Sequence, residues 1–182
     1  MFAIDQSISL FFLSIQTPFL TTALYMVTWF FNPIPALFLL GIISYGLYDW
    51  GKKRNKKKTL SEFWGAVSIC MAIVWLIKYS INASRPEIAL VSVFGSSFPS
   101  AHTAIATTIF FFFLRYMRHK KNIFRRYIHI LFCILVPVVV SISRIYLQVH
   151  WFSDCLAGAS IGVFALFVSD YLWNTYHASS QA

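Results

Sequence analysis

Apolar stretches long enough to cross a bilayer recur along this chain, and they leave few folds open to it. Phe63–Ile81 is apolar along nearly all of its 19 residues. Wound as a helix at about 1.5 Å per residue, such a stretch comes close to the roughly 30 Å of a hydrocarbon core. His102–Tyr116, Ile128–Ser143 and Leu156–Trp173 follow it, and Ile34–Tyr48 precedes it, ending at Asp49. In hydrocarbon every backbone polar group must be satisfied internally, so these stretches become helices. Hydrophobic residues make up 58% of the 182 and charged residues 12%, where a soluble globular chain carries about a quarter charged. The expectation is an all-α fold, a polytopic helical membrane bundle forming one domain over residues 1–182. Residues 5–31 admit two paths. Gln16, Thr17 and Pro18 interrupt an otherwise apolar run, and proline breaks a helix interior. One kinked span there gives six transmembrane helices; two short helices in the outer interface give five.

The net charge of +9 does not mark a nucleic-acid binder. Twelve of the fifteen basic residues fall in two short segments, Lys52, Lys53, Arg54, Lys56, Lys57, Lys58 and Arg115, Arg118, Lys120, Lys121, Arg125, Arg126. That is how cytoplasmic loops look under the positive-inside bias. Residues 82–101 and 144–154 then share the opposite face, which opens to the periplasm or the cell exterior of a plasma or inner membrane. Trp29, Trp50, Trp64, Trp151 and Trp173 fall near span ends, as an aromatic belt does. The N-terminus has no basic segment and no small-residue cleavage site, so the first span is expected to serve as its own insertion signal. Cys70, Cys133 and Cys155 lie far apart in apolar runs and read as buried small hydrophobes. His119, His129 and His177 read as solvated or interfacial.

Three basic residues stand apart from the clusters, and with them stand the polar residues that carry chemistry. Lys78 closes a span and Arg85 follows it, ahead of Pro86. Cations at a membrane edge mark a functional site or a pair of side chains snorkelling to water. In Pro99-Ser100-Ala101-His102 the proline predicts a helix start, since proline is favoured at the first helical position. The N–H groups of Ser100, Ala101 and His102 then lack intrahelical partners and form an anion cradle, or an ordinary cap. Small Ala101 lets a ligand approach the backbone, and the Ser100 hydroxyl adds a donor. His150 and Asp154, four apart, share one face of a helix. Asp154 can hold one ring nitrogen of His150 and leave the other as nucleophile or base, or the pair can be structural. Arg144 stands ahead of them.

Taken in order, Lys-x6-Arg-Pro, Pro-Ser-x-His and Ser-Arg-x5-His-x3-Asp resemble the motifs of the type 2 phosphatidic acid phosphatase superfamily. Every motif residue is present, with Ala101 in place of the commoner Gly. The resemblance covers about 30 residues, and the span order fits the rest. It implies that His150 attacks phosphorus and forms a phosphohistidine, that Asp154 orients it, and that His102 protonates the leaving oxygen and then activates water. Lys78, Arg85, Arg144, Ser100 and the backbone at Ala101 would bind the phosphoryl oxygens. Positioning and charge stabilisation dominate phosphoryl transfer, so neither cofactor nor metal is expected. Asp154 and Glu87 are the only acids on the outer loops, too few for a Mg²⁺ site. The implied substrate is a lipid phosphate whose tail stays in the bilayer. Undecaprenyl diphosphate, released as the monophosphate, is the first choice; the alternative is a phosphatidylglycerophosphate or lipid A phosphatase. The superfamily's vanadate haloperoxidases are soluble, unlike this chain. A non-catalytic lipid-phosphate binder needs the cations but not the intact His150, His102 and Asp154.

Overall fold

The computed structural model describes residues 3–50, 56–117 and 123–179, and among them the chain is helical without strands. Seven helices follow in order: α1 (Ala3–Ser14), α2 (Pro18–Trp29), α3 (Pro33–Trp50), α4 (Lys56–Ser80), α5 (Ala101–Met117), α6 (Ile123–Tyr146) and α7 (Phe152–Ser179). The expected all-α membrane bundle is what forms. α4, α6 and α7 are each long and apolar enough to cross a bilayer, and α3 and α5 contain shorter apolar segments. Of the basic clusters, Lys52, Lys53, Arg54, Arg118, Lys120 and Lys121 lie outside the described residues, as does His119.

Residues 5–31 take the two-helix path. Thr17 sits in extended backbone and its hydroxyl accepts from the Leu20 N–H at 3.3 Å, with Pro18 at the first helical position. This is the N-cap arrangement that starts a helix afresh. Each of α1 and α2 has 12 residues, about 18 Å of helix, too short singly for a span of about 30 Å. Both rest on the end of the bundle where α6 gives way to α7. Gln16 donates to the Tyr146 carbonyl, the Thr17 N–H donates to the Tyr146 hydroxyl, and Ser9 pairs with Gln148.

α5 runs inside the bundle; every residue from Thr103 to Ile109 is buried. Its close contact with α7 depends on Gly158 and Gly162, a pair spaced for close helix approach. A Cβ at Gly158 would lie 2.5 Å from the Ser100 carbonyl oxygen, and one at Gly162 2.6 Å from that of Ala104. The opposite ends of α4, α5 and α7 are tied by charge. Buried Glu62 lies 3.8 Å from Lys58 and 3.9 Å from Arg115, and Arg115 also bonds Asp170. Lys58 and Arg115 therefore sit at the end of the bundle opposite the His150 region.

Candidate active site

The turn between α6 and α7 is shaped by a helix C-cap. The Val149 N–H reaches back to the Arg144 carbonyl at 3.2 Å and the Gln148 N–H to the Ile145 carbonyl at 3.0 Å. These are the two bonds of a Schellman motif, with Gln148 in the left-handed position at φ 56°. Glycine usually takes that position, since a side chain there costs about 1–2 kcal/mol. The Gln148 amide is buried and engaged: it donates to the Ser9 and Ile145 carbonyls and accepts from the Ser9 hydroxyl. Two residues on, the chain presents His150.

His150 and Asp154 meet as expected, with Nδ1 to Oδ2 at 3.3 Å and both residues buried. The reason differs from a shared helix face. His150 precedes α7, and Asp154 is its third residue. Asp154 Oδ2 reaches back to accept the Trp151 N–H at 2.9 Å, the reciprocal half of a capping box, and the pairing with His150 comes with it. The same oxygen accepts from the Ser97 hydroxyl. A carboxylate so placed accepts a hydrogen bond from the Nδ1–H of His150 and leaves Nε2 with the free lone pair. Burial is the main force holding the His150 ring below its ordinary range, at about 4; the bond to Asp154 opposes it and the charges of Arg144 and Arg85 add to it. The ring is neutral at physiological pH.

α5 begins at Ala101, two residues after Pro99, and Ser100 is its cap. The Thr103 N–H and hydroxyl approach Ser100 Oγ at 3.5 and 3.1 Å. The Ser100 N–H is not open to an anion, because it donates to the Asp154 carbonyl at 3.0 Å and so fixes α5 to α7. The first-turn N–H groups of Ala101 and His102 remain without partners inside the helix, at its positive end. His102 Nε2 lies 3.0 Å from Asn32 Oδ1.

The three isolated cations gather here in unequal roles. Lys78 Nζ donates to the Ser96 carbonyl at 2.6 Å. Arg85 laces the loops together, donating to the carbonyls of Phe94, Gly95, Ser96 and Val149. Most of its donors are therefore committed, which the sequence pattern did not foretell. Arg144 is buried, 3% exposed. Its NH1 donates to Thr28 Oγ1 at 2.8 Å, while its Nε is buried with no hydrogen-bond partner among the described residues. A buried guanidinium with an empty donor is costly unless an anion completes it.

Ser97, Thr28, Asn32, Asp5 and Gln148 were not foreseen from sequence. Asp5 is buried and accepts the N–H and hydroxyl of Ser153 at 2.9 Å each, at the start of α7. Its place as a lone acid in the first apolar run was the available signal. Behind the site an apolar groove of about 970 Å³ runs between α5, α6 and α7 under α1, lined among others by Phe12, Ile145, Leu156 and Phe164. It reaches Ser141 and Cys155, and Ser141 bonds Thr103 beside the Ser100 cap.

Residues 59–177 match the model of the PAP2 superfamily. The chain is similar to phosphatidylglycerophosphatase B of Bacillus subtilis (strain 168), 28% identical over 173 residues that cover 90% of this chain and 80% of that protein. Its fold resembles the crystal structure of a transmembrane PAP2-type phosphatidylglycerolphosphate phosphatase from Bacillus subtilis, with TM-score 0.78 and 25% identity over 94% of this chain and 85% of that one. The fold is also shared with Aquifex aeolicus LpxE, at TM-score 0.72 and 23% identity over 92% and 95% of the two chains.

Proposed function

The chain belongs to the PAP2 superfamily, and on that premise we propose that it removes phosphate from a lipid headgroup at the mouth of its helical bundle, through a phosphohistidine and without a metal. The observation that carries this reading is Arg144, buried beside the His150–Asp154 pair with its Nε unpartnered. A phosphoryl group supplies the missing acceptor. Arg144, Lys78 and the Ala101 and His102 N–H groups hold its oxygens, with Ser100 and the remaining donor of Arg85 at the margin. His150 Nε2 forms a bond to phosphorus as the phosphorus–oxygen bond of the lipid breaks, and His102 gives the departing oxygen its proton. Asp154 stabilises the charge that appears on the His150 ring. Water then passes a proton to His102 and attacks phosphorus, and the nitrogen–phosphorus bond breaks to release inorganic phosphate. Each step needs placement and charge, which this arrangement supplies.

A lipid fits because the site lies at the end of membrane-crossing helices and an apolar groove lies behind it. The similarity to a phosphatidylglycerophosphatase favours phosphatidylglycerophosphate over undecaprenyl diphosphate, the first choice from sequence. Residues 1–182 act as one domain in this reading, since α1 and α2 brace the α6–α7 turn.

The test is phosphate release by purified protein in detergent with EDTA, offered phosphatidylglycerophosphate, undecaprenyl diphosphate and a lipid A phosphate. Wild type releases phosphate, fastest from the first. His150→Ala falls to background, and Arg144→Ala loses about 100- to 1000-fold in kcat, as removal of a charge-stabilising donor does. Activity lost to chelator and restored by Mg²⁺ would overturn the mechanism; faster turnover of undecaprenyl diphosphate would overturn the substrate.

A further inference from the structure

The corner between α2 and α3 lies outside the residues that match the superfamily, yet it places two side chains in the site. Thr28, fully buried, accepts from Arg144. Asn32 ends the turn: its N–H donates to the Trp29 carbonyl and its carbonyl accepts the Ala36 N–H at 2.8 Å, which makes it the N-cap of α3. An asparagine in that position normally turns its side-chain oxygen onto the second or third N–H of its own helix. Here the third residue is Pro35, which has no N–H. The Asn32 oxygen reaches His102 Nε2, 70 residues away, at 3.0 Å.

We propose that Asn32 is the positioning residue for His102, serving it as Asp154 serves His150. The inference rests on the phosphatase reading above. An amide oxygen only accepts, so this bond fixes the proton of His102 on Nε2 and turns Nδ1 toward the reacting oxygen. Protonated, His102 gives its Nδ1 proton to the leaving oxygen. Neutral, it has its lone pair on Nδ1, ready for the proton of the attacking water. Without Asn32 the neutral ring is free to carry its proton on Nδ1, where it can take none from water. In an in-line displacement the leaving oxygen lies opposite the nucleophile, so the α2–α3 corner forms the leaving-group side of the site.

The experiment is a double-mutant cycle on phosphatidylglycerophosphate hydrolysis by the full chain in detergent, with Asn32→Ala, His102→Ala and both, alongside thermal midpoints. Asn32→Ala loses about 10- to 100-fold in kcat/KM, the usual cost of removing a histidine's orienting partner. The double variant is no slower than His102→Ala, because Asn32 acts only through that ring. Asn32→Asp keeps the acceptor oxygen and retains most activity. Losses that multiply in the double variant mean a structural role and overturn the proposal, as does an unchanged Asn32→Ala. If Asn32→Ala fails to fold, Asn32→Asp decides: a loss as deep as that of His102→Ala overturns it. A wild type silent on all three lipids sinks the phosphatase reading itself.

Discussion

Arg144 shows how much a single side chain can say about a site. It is buried next to another cation's loop and to a neutral histidine, and one of its donors is empty. Beside a histidine–aspartate pair, such a group is a ready seat for an anion's oxygen. The neutral state of His150 follows from the same enclosure. Its pKa is held at about 4 chiefly by burial, against the opposing bond to Asp154. The sign is that of a base kept free: at pH 5.5 an ordinary imidazole is about nine-tenths protonated, whereas His150 keeps its lone pair. We therefore expect the assigned His150 signal in nitrogen-15 spectra in detergent still to report a neutral ring at pH 5.5, that signal being the one missing in His150→Ala. A ring titrating near 6.5 in its place would mean that water enters the site freely. Much at this scale was legible beforehand. His150, Asp154, His102 and Arg144 stood out as polar residues in an apolar chain, and their spacing paired the first two. What spacing could not give was the helix-cap geometry that makes the pair, or the commitment of the Arg85 donors to loop carbonyls.

Among the elements, the junction of α5 with α7 shapes the proposed phosphate site. Ser100 is joined to Asp154 through backbone, and the two helices approach through Gly158 and Gly162. A methyl at Gly158 meets the Ser100 carbonyl oxygen at 2.5 Å, a backbone atom that cannot step aside alone. Gly158→Ala should therefore lower the thermal midpoint, at a cost of about 1–3 kcal/mol for overpacking, and reduce phosphate release with it. Gly41→Ala is the contrast. Its Cβ meets nothing within 4 Å, so it should be neutral or raise stability by about 0.5–1 kcal/mol through helix propensity. Equal midpoints for the two variants would show that α5 and α7 are not held as described. α1 and α2 were the ambiguous elements in the sequence. Their apolar length fits a span, and only the Thr17–Pro18 start and the polar contacts of Asp5, Ser9 and Gln16 set them across the site end.

At the scale of the molecule, the chain has two polar ends of opposite character. One holds His102, His150 and the three isolated cations. The other holds the ion pairs of Lys58 and Arg115 with Glu62 and of Arg115 with Asp170. The positive-inside bias predicts that the second end faces the cytoplasm and that the site opens outward. A reporter enzyme fused after Lys58 is expected inside the cell and one inserted after Glu87 outside it; the reverse pattern would place the site on the cytoplasmic face. By itself the sequence determined the helical class and the five apolar segments, and it marked the residues proposed to handle phosphate. Those follow from hydropathy over bilayer length and from the scarcity of polar groups in apolar surroundings, both local to the chain. Only the tertiary structure decided that Arg85 is a loop staple, that Ser100 spends its N–H on Asp154, and that Thr28 and Asn32 enter the site. Each of these is a hydrogen bond between segments distant in sequence, and nothing in the spacing of residues records which donor will meet which acceptor once the helices pack.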